Sequence, residues 1–389
     1  MSVVEAIWWG PSPGAAGRAL LPPLVLAESA FRLGAAVRGA LYDRGVLRAE
    51  RAAAPVVSIG NLAVGGAGKT PAAIAVAARL LARARRVAVL SRGYGASRSD
   101  ARIVCDGERV LLGAAEGGDE PVLVARRLRG VRVLCGPSRA ALARTAVEAL
   151  GADALVLDDG FQHRALARDL DVVVLDAASP FGNGRLLPAG PNREPRSALR
   201  RAGLVWLSRV DQAGPDAVEA LRALAREATG REPVESRHAP VDVVDGTLER
   251  SLGAGALRGE RVLLLAGVAR PAAFRRTVEG LGAEVAAEAF YPDHHRFAAG
   301  ELEEVLRAAD AARCGHVVTT EKDAVRLDRV RAANRRICAV RIEAEVVRGG
   351  DVLDAMLDAA LASHSSPTTT STPTPTTTPT TAAGQGRRP

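Results

Sequence analysis

Six short apolar runs recur through the first two thirds of the chain: Pro55–Gly60, Arg86–Ser91, Val131–Gly136, Ala152–Asp158, Leu170–Asp176 and Leu204–Ser208. Runs of nearly continuous Val, Leu and Ala read as strands buried on both faces, and the helical stretches between them imply a parallel sheet with helices packed against it. Aromatic residues make up only 3% of the chain, so such a core has to be built from Ala, Val and Leu. A second, smaller α/β unit is expected after residue 252, with strands at Val262–Ala266 and His316–Thr320. A helix over Pro271–Gly280 places proline at its first turn. The chain therefore divides into an N-terminal segment (1–50), a larger α/β unit (51–233), an extended linker (234–252), a smaller α/β unit (253–362) and a tail (363–389). The tail is rich in Thr, Pro and Ser, a composition that buries no core and predicts disorder.

The N-terminal segment predicts a helix beginning after Pro22 and Pro23. At a period of 3.6 residues, Leu26, Ala30, Leu33, Val37 and Leu41 share one face, and Glu28, Arg32, Arg38 and Asp43 the other. Two readings fit: a helix packed on its own domain, or one lying on a membrane with Trp8, Trp9 and the arginines near headgroups. Four cysteines stand far apart with no CxxC pair, which excludes a disulfide scaffold and a zinc ribbon and suits a reducing compartment. A formal charge of +8 suits an anionic partner. Scarce aromatics and interspersed acids argue against a nucleic-acid partner and leave a lipid surface.

The chemistry starts at Gly65-Gly66-Ala67-Gly68-Lys69-Thr70, between the first strand and a helix. That context defines a phosphate loop: glycines let backbone N–H groups converge on phosphate oxygens, and the helix N-terminus adds favourable partial charge. Ala63 and Val64 open the eight-residue loop, with Ala63 where glycine is usual. Lys69 can reach the β- and γ-phosphates and the Thr70 hydroxyl can ligate Mg²⁺. Lysine occurs only here and at Lys322, every other basic residue being arginine. The run Ala154–Leu157 ends in Asp158-Asp159, the strand-end acids with which a nucleotide enzyme holds its metal. A simple polar turn would also explain the pair, and His163 alone would be a structural histidine as readily as a catalytic one.

An ordered series of motifs resembles one family, the tetraacyldisaccharide 4′-kinases, which are the lipid A kinases of Gram-negative bacteria. It comprises Gly60-Asn61-Leu62, the phosphate loop with Pro71, Ser91-Arg92-Gly93-Tyr94-Gly95, Gly118-Asp119-Glu120-Pro121 and Asp158-Asp159-Gly160-Phe161-Gln162-His163. It continues with Leu187-Pro188-Ala189-Gly190-Pro191, Arg193-Glu194-Pro195, Tyr291-Pro292-Asp293-His294 and Thr319-Thr320-Glu321-Lys322-Asp323. The resemblance implies transfer of the ATP γ-phosphate to the 4′-hydroxyl of a lipid disaccharide 1-phosphate, with Mg²⁺. It further implies Asp119 as the catalytic aspartate with His294 as its partner, Glu194 on the nucleotide side, and Gln162 beside Thr70, Asp158 and Asp159 at the metal. Arg92, Tyr94, Ser138, Arg139 and His163 would line the site. A membrane-associated N-terminal helix on the cytoplasmic face of the inner membrane is expected as well. The residues alone leave open a membrane-associated nucleotide switch, which would need no sugar acceptor, and a kinase or ligase acting on a soluble metabolite.

Overall fold

The computed structural model describes residues 3–10, 12–93, 101–268, 271–292, 295–327 and 334–365. Tyr94, His294 and the tail beyond residue 365 lie outside them. The strands are β1 (Val56–Gly60), β2 (Val87–Ser91), β3 (Arg102–Asp106), β4 (Arg132–Cys135), β5 (Ala154–Asp158) and β6 (Leu170–Asp176). They continue as β7 (Leu204–Ser208), β8 (Val234–Asp245), β9 (Arg261–Ala266), β10 (Glu284–Phe290), β11 (His316–Thr320) and β12 (Ile337–Arg348). All twelve join one sheet in the order β10-β9-β11-β12-β8-β7-β6-β1-β5-β2-β4-β3. Neighbours are parallel except β3 against β4 and β8 against β12.

The six expected runs form β1, β2, β4, β5, β6 and β7. Their alternate side chains feed two different cores, as a strand's period of two requires. On β5, Ala154 and Val156 join the cluster beneath helix α3 (Lys69–Ala82), while Leu155 and Leu157 pack with Leu142, Ala143 and Ala146 of helix α6 (Arg139–Glu148). Alanines on α3 (Ala72, Ala73, Ala77) let it approach the sheet closely, which is how so few aromatic residues suffice. The edge strands β3 and β10 have no long apolar run, and neither was expected.

The segment 234–252 is a correction. It is extended, but its first twelve residues are β8, a paired strand and not a free linker: Trp206↔Val234 to Ser208↔Ser236 pair it with β7, and ten pairs to β12 bind its length. The sheet is therefore continuous between the two α/β units. Its partners on either side, β7 and the strand at 337–348, reveal this, and polar residues such as Arg237, His238 and Asp242 hid it in the sequence.

The N-terminal helix also differs. Helix α2 runs Gly14–Asp43 with Pro22 and Pro23 inside it, preceded by the short α1 (Val3–Trp9). Helix formers on both sides (Ala15, Ala16, Ala19, Leu20, Leu21 before; Leu24, Leu26, Ala27 after) carry the helix through two missing N–H donors. Its polarity is inverted relative to a packed helix. Glu28 is 2% exposed, whereas Leu26 is 76%, Leu33 66% and Val37 50% exposed. Buried Glu28 accepts hydrogen bonds from the Leu186 backbone N–H (3.0 Å), Arg32 (2.7 Å) and Arg185 (3.1 Å). Nearer its end, Arg38 donates to the Gln162 carbonyl at 3.1 Å and Asp43 pairs with Arg164 at 2.7 Å. The polar face docks on the body, and the apolar face points away.

Candidate functional site

The site forms at the carboxyl ends of β1 and β5. After β1 the chain must turn beside the segment that follows β5, and a Cβ on Gly60 would lie 2.7 Å from the Phe161 backbone nitrogen. Glycine there is what allows the two functional loops to touch. The phosphate loop follows, with Gly65 at φ +103° and Gly68 at φ +86°, backbone regions costly to other residues. Its outer wall is fixed by Val64 N–H donating to the Pro191 carbonyl (2.8 Å) and Arg193 N–H to the Leu62 carbonyl (2.6 Å). On the other side the Ser208 hydroxyl donates to the Ala67 carbonyl (2.8 Å), and Arg209 donates to that of Gly66.

Lys69 opens α3. Its ammonium donates to Asn61 Oδ1 (3.2 Å) and to the Gly65 carbonyl (3.4 Å), and lies 3.7 Å from Asp159. Burial lowers its proton affinity, and the carboxylates of Asp159 and Asp158 work against that shift. Asp158, 4% exposed, is pushed up to about 7 by burial and by the negative charge of Asp159. Burial also opposes charge on Asp159, but Lys69 and Arg193 outweigh it and hold Asp159 below the usual carboxylate range. Arg193 donates to Asp159 at 2.8 Å. Two adjacent carboxylates, one buried and easily protonated and the other half-buried with an oxygen (Oδ1) that accepts no hydrogen bond, form a donor set that fits a divalent cation. With the hydroxyl of Thr70, the residue after Lys69, this suits Mg²⁺, which keeps waters and phosphate oxygens among its ligands and needs few from protein. Among the described residues no cluster of three or more His, Cys, Asp or Glu has metal-binding geometry.

Gln162 lies beside these acids, sharing Arg193 with Asp159. Its amide donates to the Asn61 carbonyl (2.9 Å) and accepts from Arg193 (3.3 Å), making it a strut between the two loops. Glu194 is held in a two-point pair by Arg201 (2.6 and 3.1 Å). Ser138 caps α6 by accepting from Ala141 N–H (3.2 Å). Arg139, 3% exposed, donates to the Gly136 carbonyl (2.6 Å), and burial depresses its proton affinity while Asp158 and Asp159 resist that. His163 is pushed down to about 4 by burial and by nearby arginines, so it is neutral near pH 7. Arg92 stands exposed at the end of β2.

Asp119 begins helix α5 (Asp119–Arg127) and pairs with Arg326, which lies in the second unit just after β11, at 2.6 Å. The same guanidinium binds Asp323 at 2.9 Å. Its neighbour Glu120 pairs with Lys322 at 3.1 Å, and Glu120 also acts electrostatically on Lys69. The chain's two lysines thus address one acidic edge. Sequence reasoning gave no role to Arg193, Arg326 or Asn61, although Arg193 and Asn61 stood inside motifs already noted.

The family described as Tetraacyldisaccharide-1-P 4′-kinase matches residues 19–362. The chain belongs to that family. A tetraacyldisaccharide 4′-kinase of Anaeromyxobacter sp. (strain Fw109-5) is 74% identical over 93% of this chain and 97% of its own. One of Syntrophus aciditrophicus (strain SB) is 41% identical over 81% of this chain and 87% of its own. In three dimensions the chain is similar to LpxK from Aquifex aeolicus, solved in complex with ATP, with a TM-score of 0.72 and 27% identity over 88% of this chain and 99% of that one. The tetraacyldisaccharide 4′-kinase family therefore accounts for both α/β units and most of α2.

Proposed function

We infer that the protein transfers the γ-phosphoryl group of ATP to the 4′-hydroxyl of a tetraacyldisaccharide 1-phosphate, forming lipid IVA in lipid A biosynthesis. The observation that carries the chemistry is the meeting of Lys69, Asp158 and Asp159 beside a strand–loop–helix phosphate cradle in a member of this family. Phosphoryl transfer asks a protein mainly to position groups and neutralise charge. In this reading the loop N–H groups and Lys69 hold the nucleotide phosphates. Arg193, held against Asp159, keeps that carboxylate ionised, and Thr70, Asp158 and Asp159 hold Mg²⁺. When bound, that ion neutralises charge on the β- and γ-phosphates. Asp119 takes the proton of the 4′-hydroxyl, with His294 as its partner, and Arg92, Arg139 and His163 line the approach. The outward apolar face of α2, 30 residues long and almost unburied, supports attachment to the lipid surface of the inner membrane. ATP supply supports the cytoplasmic face. The test is to incubate the protein with Mg-ATP and a tetraacylated disaccharide 1-phosphate in detergent micelles. A mass gain of one phosphoryl group on the lipid supports the reading, and ATP hydrolysis without lipid product refutes it.

A further inference from the structure

Helix α1 precedes the membrane-facing helix and lies outside the stretch matched by the family, yet it is built into the edge of the phosphate loop. Ile7 is 5% exposed. The Asn183 side-chain amide donates to the Ile7 carbonyl (3.0 Å), the Asn183 N–H to the Trp8 carbonyl (2.9 Å), and the Trp8 indole N–H to the Pro188 carbonyl (3.0 Å). These anchors fix the next residue, Trp9. A Cβ on Gly182 would lie 2.6 Å from both the Trp8 carbonyl and the Pro191 ring and 3.1 Å from the Trp9 ring, so glycine there admits the end of α1 with its indole. From the other side, the ring lies 3.8 Å from where a Cβ on Gly65 would sit. Gly65 marks the γ-phosphate end of the loop, because its carbonyl accepts from Lys69, whose ammonium serves the β- and γ-phosphates. Trp9 nevertheless stays 37% exposed.

We propose that Trp9 is the aromatic wall of the acceptor pocket, and that its indole carries the sugar ring whose hydroxyl meets the γ-phosphate. The proposal rests on the kinase reading above and deepens it. A pyranose turns a face of C–H groups outward, and a large, flat indole offers that face apolar area at little entropic cost. Position favours the sugar over the nucleotide base, since the base lies at the far end of the phosphates from Gly65. It also favours a lipid-linked acceptor. Trp9 stands between α2, whose apolar face points outward, and the phosphate loop, so an acceptor with its chains in the bilayer reaches the γ-phosphate past this ring. One loop serves all three parts: Pro191 binds the phosphate loop, Asn183 and Pro188 bind α1, and Leu186 binds Glu28 of α2.

The test uses the full-length protein in micelles with Mg-ATP and tetraacyldisaccharide 1-phosphate. Trp9→Ala is expected to raise KM for the disaccharide about tenfold, with KM for ATP changed by less than roughly twofold. Trp9→Tyr, which keeps a flat ring between Gly182 and Gly65, should recover most of the loss and remains informative if the alanine variant unfolds. The difference in tryptophan emission between wild type and Trp9→Phe should shift when the disaccharide is added without nucleotide, Trp206 being wholly buried. An unchanged disaccharide KM in Trp9→Ala, or a rise confined to the KM for ATP, overturns the proposal while leaving the kinase reading intact. A wild-type protein that neither binds nor phosphorylates the disaccharide overturns both.

Discussion

Lys69 and His238 show what single residues contribute around the phosphate loop. Lys69 is a compact ammonium held by Asn61, Gly65 and Asp159, and a planar guanidinium matches none of those distances. Lys69→Ala should abolish phosphoryl transfer, and Lys69→Arg should leave less than about a hundredth of it, as for the loss of a group that stabilises transition-state charge. Near-normal turnover of the arginine variant in a radiolabelled phosphate assay would contradict this. His238, on β8, faces the other side of the loop, its Nε2 2.9 Å from where a Cβ on Gly68 would sit. Burial and the charge of Arg209 push it down to about 4. The unfolded chain, with histidine near 6.5, then binds more protons than the folded one between those values. Stability is full above the unfolded value and falls with pH by up to about 1.4 kcal/mol per unit. His163 has the same sign. The melting temperature of His238→Gln should fall less steeply than wild type between about pH 6.5 and 5, and parallel curves would refute the assignment. At this scale legibility followed rarity. Lys69 and the Asp158-Asp159 pair were readable because their chemistry is set by neighbours in sequence. Arg193 and Arg326 were not, because arginine supplies all but two of 52 basic residues and only contacts remote in sequence single them out.

Helix α2 shows how an element can be read from its period while its orientation is left open. Its two faces follow directly from the 3.6-residue period, but periodicity does not say which face meets protein. That is decided by partners on two distant loops: Arg185 and Leu186 for Glu28, Gln162 and Arg164 for the far end. Its start was misplaced because prolines usually begin helices, whereas alanines and leucines before them carry this one through. Three hydrogen bonds hold the Glu28 carboxylate below its usual range against the opposing effect of burial. Glu28→Ala should therefore cost roughly 2–3 kcal/mol in denaturant unfolding, the scale of lost bonds to a charged group. It should also expose α2 to protease before the body is cut. Deleting residues 1–45 should shift the protein from membrane to soluble fractions and lower activity on long-chain acceptor. Unchanged membrane recovery would show that the apolar face has another role.

Across the whole molecule, one sheet joins the two α/β units through β8 and β12, and ion pairs join them again at the site. Arg127 of α5 pairs with Glu321 at 2.6 Å with both side chains nearly buried, and Arg341 reaches the same carboxylate at 2.9 Å. Lys322 and Arg326 then hold Glu120 and Asp119. The sequence suggested two units on a linker, because strand pairing between residues near 240 and 342 leaves no local signal. The bonds give the catalytic proposal a sharper form. Asp323 anchors the Arg326 guanidinium within its own unit, and that buried aspartate also accepts from the Gly267 N–H (3.2 Å) and the Thr320 hydroxyl (2.7 Å). Arg326 is therefore a fixed point on which Asp119 is aligned from the opposite unit. If Asp119 takes the hydroxyl proton, Asp119→Asn should lower kcat by ~10²–10⁴ while ATP binding persists. Arg326→Gln should lower kcat less, because the carboxylate remains but is no longer aligned. In the double variant the arginine has nothing left to align, so its loss should add almost nothing to that of Asp119→Asn. Steady-state kinetics on the four proteins, with nucleotide affinity measured separately, decide the matter: effects that multiply make Arg326 a purely structural tie, and loss of ATP binding in Asp119→Asn moves that carboxylate to the nucleotide.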